Sequence, residues 1–167
     1  MVRVSELKQE INEAHERFFA ALEGFETTDL EMKPISGVWS ARDMAGHMAD
    51  WHHEIIDSVE RIRAKQPPAR PIRDVDAWNH DQAAVRGIQP WPEAAEDLRN
   101  AWARVIECLD QIQDDELERK GPYPTGTVEP LRSFFRRLIA RHVANHASEA
   151  ERWRMRMLGI RDRGEQP

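Results

Sequence analysis

Four stretches of apolar residues recur at intervals of three or four, and clusters of proline and glycine separate them. That period fits the 3.6-residue turn of an α-helix and not the two-residue repeat of a strand. Leu7, Ile11, Ala14, Phe18 and Leu22 mark a first helix over residues 3–24, ending near Gly24. Residues 25–38 hold Pro34 and Gly37 and read as a loop. Ser40 and Asp43 then make the Ser-x-x-Asp pattern of a capping box, which starts a second helix. Its stripe is Met44, His47, Met48, Trp51, Ile55, Val59 and Ile62. A third helix takes Pro92 in its first turn and runs through Leu98, Trp102, Val105, Leu109 and Ile112. The fourth starts near Pro130 and runs through Phe134, Phe135 and Leu138 to about Leu158.

The connections complete the expectation. QPPARPIR, residues 66–73, is a proline-rich break, and DVDAWNHDQAAVRG after it reads as a short helix or an ordered crossover anchored by Trp78. Residues 114–129, with Gly121, Pro122, Pro124 and Gly126, form the last long connection. Runs of alternating β-branched residues and Asn-Gly or Asp-Gly turns are absent. The expected fold is all-α, a four-helix bundle with a crossover between helices 2 and 3. It is expected as one domain over residues 1–160, with a polar tail at 161–167.

Composition narrows the function classes. A net charge of −6 argues against a nucleic-acid partner. The arginines of 132–141 and 152–163 read as the solvated face and C-terminal end of the last helix. Cys108 is the one cysteine, so no internal disulfide can form, and Val105, Leu109 and Ile112 around it suggest a buried, inert thiol. No apolar run approaches the ~20 residues of a membrane span, and the N-terminus lacks an apolar signal core. A soluble cytoplasmic protein with no membrane partner is expected.

The chemistry concentrates in RHVANHASEAERW, Arg141 to Trp153. His142 and His146 stand four apart, so a helix stacks them one turn above the other. Leu138, Glu149 and Trp153 fall on the same face, so the pair is expected to interrupt an apolar stripe. Val143 occupies the place where a His-Glu-x-x-His zinc motif would carry glutamate. Bundles build metal sites from side chains on facing helices, which makes His47 the natural third partner. His15 lies beside the first stripe. His52 and His53 point away from theirs and are expected at the surface, and no spacing argument brings His80 to the site. The residues leave two readings: core histidines with ordinary hydrogen bonds, or ligands of one metal ion.

VWSARDMAGHMADW, Val38 to Trp51, resembles the second-helix signature of the DinB/YfiT-like superfamily, a Trp-Ser, a short polar turn, then a histidine followed by a tryptophan. RHVANHASEAERW resembles its second signature, His-x3-His with Gln or Glu three residues on, and DAWN at Asp76–Asn79 resembles its crossover. The resemblance implies a four-helix bundle binding a divalent metal through His47, His142 and His146. Glu149 holds a place often taken by Gln, as a ligand, an outer partner, a substrate contact or a helix-face acid. Some relatives are transferases or isomerases that use a low-molecular-weight thiol, and many pair through helix faces, which implies a homodimer.

Three neutral imidazoles would leave a divalent ion, zinc or nickel, with its full charge and an open position. Such an ion favours hydroxide over water and thiolate over thiol. With no active cysteine in the chain, the thiol would be a small-molecule cosubstrate. Asp50 and Glu54 follow His47 at i+3 and i+7 as a base or an outer hydrogen-bond acceptor, or as exposed acids. Trp39, Trp51, Trp78 and Trp153 wall a pocket or fill the core. Two functions are carried: a metal-dependent transferase or hydrolase acting on a small molecule, with Glu149 and Asp50 as its catalytic acids, and a non-catalytic metal or small-molecule binding module of stress response.

Overall fold

The computed structural model describes residues 2–159, and the tail expected at 161–167 lies outside the described residues. Four long helices form the bundle: α1 (Val4–Leu22), α3 (Ala41–Arg63), α5 (Trp91–Asp110) and α7 (Arg141–Met157). The pairs α1/α7 and α3/α5 pack extensively, while the α1/α5 and α3/α7 seams make far less contact. Apolar burial drives each packing. Phe18, Met44, Met48 and Leu98 fill one half of the interior, and Ile55, Leu109, Phe134 and Phe135 the other. The crossover carries α4 (Val75–Arg86), capped by the Asp74 carboxylate, which accepts from Ala77 N at 3.0 Å. Trp78 anchors it to Trp51, the ring centroids 4.7 Å apart.

Two connections hold more structure than their composition suggests. The expected loop at 25–38 contains α2 (Thr27–Met32), a short helix pinned by the buried Leu30, and Pro34 and Gly37 follow its end. The last connection contains a hairpin of β1 (Lys120–Pro122) and β2 (Val128–Pro130), pairing Gly121 with Glu129. Strands of three residues are too short to show an alternating pattern. A Cβ at Gly121 would lie 2.3 Å from Ile62 Cδ1, so glycine lets the hairpin close on the end of α3.

Two helix faces differ from expectation. His52 is fully buried and not at the surface, because α3 has packed neighbours on several sides. Its buried set includes Ala45, Met48, Ala49, His52 and Ile56 beside the anticipated stripe. The last helix is not one continuous α-helix. After α6 (Leu131–Ser133), residues Phe134–Ala140 wind as a π-helix, and α7 begins at Arg141. The wider winding shifts the register, so the core stripe of α7 is Val143, Ala147, Ala150 and Trp153. His142, His146 and Glu149 are therefore half-buried on its flank, beside the α3/α7 seam, and do not interrupt the core stripe.

Candidate metal centre

The seam is built from its helix starts. Ser40 Oγ accepts from Asp43 N at 3.3 Å, and Asp43 Oδ2 accepts from Ser40 N at 3.0 Å, the capping box foreseen in the sequence. This fixes where α3 begins and hence the direction of His47, in its second turn. The preceding loop folds back on itself, Ile35 N donating to Trp39 O at 2.7 Å. That places the Trp39 ring edge against His47, with centroids 4.6 Å apart. It also lets Ser36 Oγ donate to Glu149 Oε1 at 2.7 Å.

Across the seam His142 Nε2 lies 3.0 Å from His47 Nε2 and 3.0 Å from His146 Nε2. The three ligand atoms all fall within 4.8 Å of one another. Proton counting shows what this geometry demands. His146 Nδ1 is 2.8 Å from Glu149 Oε2, so it donates to the carboxylate and leaves Nε2 as a lone pair. A neutral His142 carries at most one Nε2 proton, which satisfies one of its two contacts; if Nε2 is bare, it offers one lone pair to two neighbours. No assignment of neutral tautomers satisfies both contacts well. A cation shared by three nitrogens does, and three neutral imidazoles suit a divalent transition metal.

Electrostatics keep His47 and His142 neutral. Burial pushes the His47 pKa down to about 2, helped by His142, His146 and the Arg86 guanidinium. Burial and His146 take His142 down to about 4, with a hydrogen bond to the Leu138 backbone working the other way. At Glu149 burial works upward, yet the hydrogen bonds from Ser36 and His146 prevail and its pKa falls. Glu149 is thus a carboxylate that holds one imidazole in the tautomer a metal needs.

The DinB superfamily profile matches residues 10–150. The chain belongs to the DinB superfamily. Solved structures share its fold at low identity. YfiT from Bacillus subtilis, described as a probable metal-dependent hydrolase with an unusual four-helix bundle topology, is 19% identical with a TM-score of 0.68, covering 95% of this chain and 89% of that one. A mycothiol-dependent maleylpyruvate isomerase is 11% identical with a TM-score of 0.75, covering 89% of this chain and 61% of that one. The colibactin self-resistance protein ClbS, solved with double-stranded DNA, is 12% identical with a TM-score of 0.76, covering 90% and 94%. No curated protein matches the sequence.

Within this DinB bundle the other sequence candidates divide. Glu149 joins the triad. Asp50 does not: its Oδ2 lies 3.1 Å from Arg86 Nε, and burial raises its pKa to about 6 against the pull of that guanidinium. Glu54 lines a separate small cavity with Ser58 and Tyr123. His53 and His80 are exposed. Trp39 walls the site, Trp51 and Trp78 dock the crossover, and Trp153 packs on Phe25 in the core. Cys108 is buried, and burial pushes its thiol up to about 11, so it supplies no thiolate. Ser36 and Arg86 escaped the sequence reading, since a loop serine and a crossover arginine carry no periodic signal. No described helix is long and apolar enough to cross a membrane.

Proposed function

We propose that the chain is a divalent-metal-dependent enzyme acting on a small molecule, a thiol-dependent transferase or a hydrolase. The observation that carries this is the convergence of three Nε2 atoms with fewer protons than their contacts require. His47, His142 and His146 would hold the ion, zinc or nickel. Bound there, it supplies Lewis acidity that makes hydroxide or a cosubstrate's thiolate available near neutral pH. Glu149 keeps the proton on His146 Nδ1, Trp39 screens His47 from solvent, and the buried Cys108 leaves a sulfur nucleophile to come from outside the chain. The named activities of YfiT and of the mycothiol-dependent isomerase lend support to this class of chemistry.

The proposal includes a homodimer and no nucleic-acid partner, the net charge of −6 being unsuited to a duplex backbone. A non-catalytic binding module is the second reading. What favours it is that Asp50 is engaged by Arg86 and Glu149 by two hydrogen bonds, so neither acid stands free beside the triad. The test is elemental analysis of purified protein, then a panel of thiol-plus-electrophile and ester substrates with and without chelator. About one metal per chain and chelator-sensitive turnover is expected. A metal-replete protein that turns over nothing selects the second reading, and one that takes up no metal overturns both metal readings.

A further inference from the structure

Gly46 stands immediately before His47 in the interior of α3, where glycine costs about 1 kcal/mol relative to alanine. The reason lies across the interface. A Cβ there would fall 1.5 Å from Arg86 Nη1 and 2.6 Å from Arg86 Cζ, so the guanidinium from the end of α4 lies directly on the α3 backbone. Its Nε approaches Asp50 one turn further along. The same helix is docked beside His47 by Trp51, which stands one turn after it and donates from Nε1 to Asn79 Oδ1 at 3.0 Å. No residue of α4 is fully buried, so these few contacts set its position.

The placement puts a fixed positive charge against the α3 backbone one residue before His47. Asp50 Oδ2 lies 3.1 Å from Arg86 Nε as an ion pair without a formed hydrogen bond, and the planar group carries further N–H donors on its Nη atoms. A small cleft of about 20 Å³ opens beside it, lined also by Arg42, Asp43, Ala83, Gly87 and Gln89. Lysine could not lie flat in the Gly46 notch and offer a fork.

We propose that Arg86 anchors an anionic group of the small molecule taken at the triad, so that its substrates are carboxylates or related anions. This rests on the metal reading of His47, His142 and His146. The test uses the full chain loaded with Co²⁺, the visible spectrum reporting ligand binding, with succinate as probe and uncharged succinamide as control. Succinate is expected to bind wild type at least about tenfold more tightly than Arg86→Gln, with equal cobalt content and no such difference for succinamide. Gly46→Ala, which displaces the guanidinium without removing a charge, should reproduce the loss, and Arg86→Lys should fall between. Equal succinate affinity in wild type, Arg86→Gln and Gly46→Ala, all cobalt-loaded and folded by circular dichroism, overturns the proposal. If wild type takes up no cobalt, the metal reading fails on its own. Succinate calorimetry on the metal-free proteins then decides the anchor: the same tenfold loss supports it and equal affinities overturn it.

Discussion

The bundle buries histidines in two places, and the two are built to opposite specifications. In the α3/α7 seam three imidazoles converge, with one nitrogen tied to Glu149 and more lone pairs than protons at the centre. Between α1, α3 and α5 lie His15 and His52, both fully buried, their Nε2 atoms 2.9 Å apart. There one proton serves the single contact between the rings, and His52 Nδ1 is left buried without a partner. His15 Nδ1 is 2.8 Å from the Ile11 carbonyl and must donate to it, so its Nε2 accepts from His52. Trp102 stacks on His15 at 4.7 Å and closes the site. Burial of histidine alone therefore says little about ligation. The distinction lies in whether one neutral hydrogen bond exhausts the contact and whether the cluster borders an open seam.

The comparison breaks or holds first on metal content. His142→Ala and His146→Ala should lose most bound metal by elemental analysis, whereas His52→Ala and the exposed His53→Ala should retain it. A His52→Ala protein as depleted as His142→Ala would erase the difference between the clusters. A second test uses acid. Burial lowers the folded-state pKa of His15 from 6.5 to about 4, so the unfolded chain binds the proton more readily. The stability contributed by its neutral form is present above pH 6.5 and is lost as pH falls through about 4, on the order of 3 kcal/mol. Denaturant melts of His15→Phe/His52→Leu, which also removes the His52 ring that burial keeps neutral, should show at least that much less loss over the same interval.

Two smaller effects sharpen the contrast. In metal-free protein His52→Ala should cost about 2 kcal/mol, since it strands the His15 acceptor and opens a cavity, while His146→Ala should cost under about 1 kcal/mol because it relieves a crowded, half-buried contact. Urea midpoints measure both. Smallest is Glu149→Gln, which keeps an acceptor for His146 Nδ1 but removes the charge. Metal affinity should fall about tenfold, read by competition with a chromophoric chelator.

The four helices were legible because each buries a stripe long enough for its period to register, from Leu7–Leu22 to Leu98–Leu109. The capping box at Ser40 was legible because its hydrogen bonds are local. His52 was misplaced because a single stripe cannot reveal packing on several sides of α3. The flank position of His142 was hidden for a related reason: periodicity assumes one pitch, and Phe134–Ala140 adopts another. Arg86 against Gly46 joins residues forty positions apart in sequence, beyond any local pattern.

The wide winding at Phe134–Ala140 has an engineering consequence. A π segment accommodates one residue more than an α-helix of the same rise, so deleting the exposed Arg137 would let the chain close to ordinary pitch. Seven residues of wide winding turn through about the same angle as six of ordinary pitch, so everything downstream would keep its azimuth. Val143, Ala147 and Ala150 would stay in the core, and the two imidazoles would stay opposite His47. The wide turn thus absorbs one residue without passing a rotation on to α7, and the triad should survive that residue's loss.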